Sequence, residues 1–157
     1  MTDYAFVTYW TFKAPLESVW PLIHDADAWP SWWRGVEKVE LIAKGDESGL
    51  GAVRRFTWKS ALPYRLRFDM RATRIEKPKL MEGEASGELE GTGRWTLRQD
   101  GAWTTVRYEW NVRTTKRWMN WLAPLLKGAF QRNHDLVMGW GGEGIARQLG
   151  CEWESGA

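Results

Sequence analysis

The chain has 157 residues, enough to bury one hydrophobic core and too few for two ordinary domains. Its 22 Lys and Arg against 20 Asp and Glu leave a formal charge of +2, which supplies no global field for nucleic acid or for a membrane surface. The single cysteine, Cys151, excludes an internal disulfide framework, no apolar run reaches the length of about 18 residues that a membrane-crossing helix needs, and Met1-Thr2-Asp3-Tyr4 lacks the basic-then-apolar order of a secretory signal, so a soluble cytoplasmic protein is expected.

Residues 4–13 are aromatic and β-branched, the composition of a strand. Pro15 then stands where a first helical turn accepts proline, and Leu16 to Ile23 make a short helix interrupted by Pro21. A second short helix or turn carries Trp29-Pro30-Ser31-Trp32-Trp33 and closes at Gly35; 36–42 is the next strand and 44–51 a loop rich in turn formers. Five more strand segments follow, at 52–59, 63–76, 80–87, 90–99 and 102–113. From about Lys116 to Leu149 the pattern is helical, with Pro124 and the cluster Gly139, Gly141, Gly142 and Gly144 expected to bend or loosen it. No repeat or linker divides the chain, so one domain over 1–150 and a short tail over 151–157 are expected.

The turns set a register. Asp100-Gly101 is a two-residue hairpin signal that pairs Gln99 with Ala102 and Trp95 with Val106, and sets Gly93 opposite Tyr108 and Gly91 opposite Trp110. Trp95, Leu97, Val106, Tyr108, Trp110 and Val112 then share one face, while Arg94, Arg107, Glu109 and Arg113 share the other. Upstream, Tyr64, Leu66, Phe68 and Met70 point inward and Arg65, Arg67, Asp69 and Arg71 outward. Met81, Gly83, Ala85 and Gly87 continue the inner face, their small side chains leaving room, with Glu82, Glu84 and Glu88 opposite the arginines outside. On the helix, Leu122, Leu126, Ala129, Phe130, Asn133, Val137 and Trp140 form one stripe, with His134 on its flank. The 13 Trp of the chain suit wide apolar spaces, either as plain core or as the walls of a pocket for flat molecules.

The order of strand, two short helices, six strands and long helix resembles the START-like superfamily (helix-grip fold, SRPBCC), in its polyketide cyclase/dehydrase branch. The residues that carry the likeness are Ala14-Pro15 with Val19-Trp20, Trp29-Pro30 with Trp32-Trp33, Gly49 with Gly51, Leu80 with Glu82-Gly83, Gly91-Thr92-Gly93-Arg94-Trp95, and the terminal helix. The resemblance implies an α+β fold: a curved antiparallel sheet of about seven strands wrapped around a long C-terminal helix, with two short helices after the first strand. It also implies a cavity between sheet and helix for lipids, polyketides or other hydrophobic molecules. Binding of a small hydrophobic molecule is the first functional expectation. The alternatives are a polyketide cyclase or dehydratase acting on a poly-carbonyl substrate, and a non-catalytic domain that uses the same groove for a partner protein.

Chemistry-bearing residues are few. His24, His134 and Cys151 have no metal-ligand spacing, and Gly91-Thr92-Gly93 has neither the Lys nor the helix start of a phosphate loop, so no metal and no cofactor are expected. Nucleic acid is disfavoured because alternation separates the arginines from the aromatic rings, whereas a base-stacking platform needs both on one face. Arg54 shares parity with Phe56 and Trp58, so its inward guanidinium should meet a carboxylate, a wet cavity or a polar ligand end. The candidate ligand-binding residues are therefore Arg54, Phe56, Trp58, Tyr64, Phe68, Met70, Trp95, Tyr108, Trp110, Phe130, Asn133 and Val137. If the chain is an enzyme, His134 and Tyr108 are the candidate proton-transfer groups, although no acidic residue stands on an inward strand face.

Overall fold

The computed structural model describes residues 3–60 and 62–156. Eight strands form one antiparallel sheet in the order β2-β3-β4-β5-β6-β7-β1-β8. β1 (Asp3–Phe12) alternates strictly and buries Tyr4, Phe6, Thr8, Trp10 and Phe12. The chain then turns through α1 (Leu16–His24) and a 3₁₀ turn (Ala26–Ser31) before entering a meander. That meander is β2 (Val36–Ala43), β3 (Val53–Trp58), β4 (Leu66–Glu76), β5 (Leu80–Gly87), β6 (Leu89–Asp100) and β7 (Trp103–Thr114). β1 joins the sheet beside β7, at the opposite end of the meander from β2. No side chain caps α1 from its own N-terminus; instead the Gln99 carboxamide, reaching across from β6, accepts the first free N–H, that of Leu16, at 2.6 Å.

The β6–β7 hairpin keeps the expected faces but not the expected pairing. Asp100 pairs with Trp103 and the turn residues are Gly101-Ala102, so Trp95 lies opposite Tyr108, Leu97 opposite Val106 and Gly93 opposite Trp110. Gly101 has φ +59° while Ala102 keeps a negative φ, which fits a turn needing left-handed backbone only at its first central residue. The slip of two residues preserves side-chain parity, because the pleat repeats every two. Outside, the sheet carries ion pairs between neighbouring strands: Arg55 with Asp69, Arg71 with Glu84 and Arg94 with Glu82.

After β7 the helical region is two helices rather than one bent one: α2 (Arg117–Trp121) and α3 (Ala123–Leu149) meet at Leu122. Pro124 sits in the first turn of α3, where its missing N–H costs nothing, and so marks a start instead of a kink. The glycine cluster likewise does not loosen the helix, which runs unbroken to Leu149. A Cβ on Gly141 would lie 2.5 Å from the Trp33 ring, one on Gly142 2.3 Å from Trp153, and one on Gly144 2.4 Å from the Trp32 carbonyl. These glycines are the sockets into which tryptophans seat. Side chains on a helix cover the turn before them, so glycine at positions 141 and 142 bares the carbonyls of Val137 and Met138. Trp33 Nε1–H donates to the first at 2.8 Å and Trp10 Nε1–H to the second at 3.0 Å.

The segment expected as a tail supplies an eighth strand, β8 (Trp153–Gly156), which pairs with β1 and stacks Trp153 on Phe12. Among the described residues no helix is long and apolar enough to cross a membrane.

Candidate functional site

A cleft lies over the concave face of the sheet in two lobes, one of about 130 Å³ beneath α3 and one of about 90 Å³ beneath His24, Ala26 and Trp29 at the end of α1 and the 3₁₀ turn. Trp29, Trp58, Phe68, Trp95, Tyr108 and Trp110 line both lobes, so the partition between them is a layer of aromatic rings. Tyr108 stacks on Trp95 at 4.0 Å between centroids, and Trp110 tilts against Phe68 at 5.5 Å. Gly93 makes this layer possible: a Cβ there would sit 3.0 Å from both the Trp110 ring and the Tyr108 hydroxyl.

Tyr64, Phe130, Asn133, Val137 and His134 line the larger lobe. Arg54, Phe56 and Met70 line the smaller one. Arg54 meets a carboxylate, since its Nε and Nη2 donate to Asp27 at 2.8 and 3.3 Å. Its charge is thereby matched within the protein, at the exposed rim where the 3₁₀ turn faces β3. Arg74, also of inward parity, lies outside both lobes and pairs with Glu76.

His134 occupies a more central place than the flank of the helix stripe. Its ring stacks on Phe6 at 4.3 Å and its side chain is only 12% exposed. Neither ring nitrogen has a hydrogen-bond partner, and the Asp135 carboxylate stands 4.0 Å from Nδ1, beyond hydrogen-bond reach. Burial pushes the imidazole down to about 4, only partly offset by Asp135, so it is neutral near neutral pH. The same lobe holds four further polar atoms that are buried without a partner: Tyr4 Oη, Trp58 Nε1, Tyr64 Oη and Asn133 Oδ1. Burial, helped by the Tyr4 hydroxyl and Glu88, pushes the Tyr64 phenol up to about 12, and burial raises Tyr4 and Tyr108 as well. All three phenols stay protonated and can donate. Among the described residues no Asp or Glu lines the larger lobe.

Tyr4, Phe6, Trp29, Trp33, Met119 and Met138 also line that lobe but were not among the sequence candidates. Tyr4 and Phe6 were within reach, since the alternation of β1 puts them on the face of Trp10. Trp29 and Trp33 sit on or just after a 3₁₀ turn, where no period marks the inner side. Met119 depended on the break between α2 and α3.

A family model described as polyketide cyclase / dehydrase and lipid transport matches residues 6–137. No curated protein matches in sequence. Among solved structures, TTHA0849 from Thermus thermophilus superposes with a TM-score of 0.73 at 18% identity, over 94% of this chain and 99% of that one. The Zhui aromatase/cyclase from Streptomyces sp. R1128 gives 0.70 at 15% identity, over 94% and 96%. A START superfamily protein from Mycobacterium smegmatis gives 0.68 at 12%, over 94% and 98%. At these identities the superpositions establish the START-like helix-grip fold, whereas the family match runs from β1 into the second half of α3. The chain belongs to the polyketide cyclase/dehydrase and lipid transport family.

Proposed function

We propose that the chain binds a small, largely aromatic molecule with a few polar groups in the two-lobed cleft. The observation that carries this reading is the set of buried polar atoms of Tyr4, Trp58, Tyr64, Asn133 and His134, unpartnered within one aromatic-walled lobe. A buried polar group without a partner costs roughly 1–3 kcal/mol, so a ligand that engages several of them recovers a large share of its binding energy there. The donors and acceptors are mixed: three groups donate (two phenols and an indole N–H), Asn133 Oδ1 accepts, and a neutral imidazole does one of each. A cavity of about 150 Å³ holds a benzene ring. Lobes of about 130 and 90 Å³ are each no larger than that, so they suit a compact molecule of one or two rings better than a two-chained lipid.

A cyclase or dehydratase is the second reading, favoured by one observation: an imidazole and three phenols line the same apolar space. Catalysis by proton abstraction is most efficient when the base has a pKa near the working pH. His134 is held well below that, and no carboxylate lines the lobe to replace it, which weighs toward binding without turnover. The interaction-domain reading needs a groove filled by its own side chains, and the open lobes count against it. The test is titration with a panel of aromatic, polyketide and fatty-acyl compounds, read by Trp fluorescence and melting temperature. Saturable quenching with a melting shift for the ring compounds is expected. Flat fluorescence and unchanged melting across the panel would sink the binding reading, and product formation from a bound poly-carbonyl compound would replace it with the enzymatic one.

A further inference from the structure

We propose that the junction of α2 and α3 is a docking surface for an anionic lipid bilayer. Trp118, Trp121, Leu122 and Leu125 are spaced as one helical face, at i, i+3, i+4 and i+7. That face is not buried: Trp118 is 44% exposed, Trp121 82% and Leu125 79%. The opposite side of the same short segment is apolar too, with Met119 and Ala123 buried and Met119 lining the ligand cleft. A helical segment apolar on both sides belongs inside something, and here the protein covers only one side.

Charge selects the occupant. Residues 110–134 contain Arg113, Lys116, Arg117, Lys127 and Arg132 and not one Asp or Glu, although the chain as a whole has 20 acidic residues. Several arginines on or beside the sheet are matched by carboxylates, as with Arg55 and Asp69, Arg65 and Glu37, or Arg107 and Glu109. Arg117, Lys127 and Arg132, all exposed and flanking the apolar face, have no carboxylate within ion-pair reach among the described residues. Exposed Trp and Leu bordered by unpaired cations is the pattern of a segment seated at the level of lipid headgroups, rings in the interface and charges toward phosphate. A second copy of the chain would bring the same uncompensated cations face to face.

The surface adjoins the cleft. Trp118 packs edge-on against Tyr64 at 5.2 Å, and Tyr64 lines the larger lobe together with Met119. The docking surface rests on exposure and charge and is independent of what the cleft binds.

The experiment is co-sedimentation of the protein, with no ligand added, on phosphatidylglycerol vesicles and on phosphatidylcholine vesicles. Binding to the anionic vesicles is expected, weakened about tenfold or more on phosphatidylcholine or in high salt. Trp121→Ser with Leu125→Ser, and separately Arg117→Glu with Lys127→Glu, should each reduce binding about tenfold while leaving melting temperature and ring-compound binding unchanged. Leu41→Ser with Ile42→Ser, an exposed apolar pair on β2, should leave vesicle binding intact. No binding to phosphatidylglycerol at low salt, or equal binding by the Trp121→Ser/Leu125→Ser variant, overturns the proposal. So does a dimer in analytical ultracentrifugation that the same variant dissolves in the absence of lipid.

Discussion

His134 carries a pH signature that can be measured without knowing the ligand. Its folded pKa lies near 4 against an ordinary value near 6.5, because burial beside Phe6 disfavours the imidazolium. Between those two values the unfolded chain takes up a proton that the folded chain refuses. The stability linked to this group is therefore full above about pH 6.5, declines as pH falls toward about 4, and is constant below. The shift corresponds to about 3 kcal/mol at most. Urea titrations should show His134→Gln losing about 2.5 kcal/mol less than wild type between about pH 7 and about pH 4.5; equal losses would show that the imidazole is not held neutral. At the same scale, Asn133→Ala and Tyr64→Phe should weaken a ring ligand by ~1–3 kcal/mol each in calorimetric titration. Arg54→Ala should cost much less, since its guanidinium is already engaged by Asp27. Comparable losses in all three variants would mean that Arg54 leaves Asp27 when ligand enters.

At the scale of elements, α3 works through what it lacks. Gly141 and Gly142 admit Trp33 and Trp153 closer than any side chain would allow. Ala at 141 gains helix propensity, about 1 kcal/mol, but places a methyl at 2.5 Å from a ring whose N–H is bonded to the Val137 carbonyl. Overpacking with loss of that bond should win, and Gly141→Ala is expected to destabilise by about 2 kcal/mol in denaturant titration. Gly139→Ala, with nothing within 4 Å of the added methyl, should be neutral or stabilising. The inner faces of β4, β5, β6 and β7 were legible in the sequence because alternation depends only on parity. The pairing of β6 with β7 was not, since Asp100-Gly101 and Gly101-Ala102 both make credible turns and both keep every side chain on its face. The glycine cluster was misread for a related reason: glycine propensity describes an isolated helix, whereas the residues that occupy these sockets, Trp32, Trp33 and Trp153, all lie outside α3. His134 lies beside the apolar stripe by helical period alone, and its burial comes from Phe6, which approaches from β1 and which the periodicity of α3 cannot show.

For the molecule as a whole, the position of β1 matters most. It lies inside the sheet between β7 and β8, and its inner face supplies Tyr4, Phe6 and Trp10 to core and cleft. Removing residues 152–157 would turn β1 into an edge and strip Trp153 from its stack on Phe12. A cost of ~2 kcal/mol is expected, with the ligand cleft retained. Loss of ring-compound binding in that variant, at a temperature where it is folded, would show that β8 shapes the cleft and does not merely close the sheet.

The same placement sets a timetable for synthesis. Asp3 pairs with Arg113 and Tyr9 with Gly156, so β1 leaves the ribosome with neither neighbour until roughly 100 more residues have followed it. At about 5–20 residues per second that is a wait of roughly 5–20 seconds, during which a ribbon carrying Phe6, Trp10 and Phe12 has no sheet to join. The β2–β7 meander can zip through neighbouring hairpins as it emerges, whereas closure by β1 waits for β7 and closure by α3 for Leu149. β1 therefore stands as an unpaired apolar ribbon while the meander forms, and the larger lobe of the cleft comes into being only when α3 covers it.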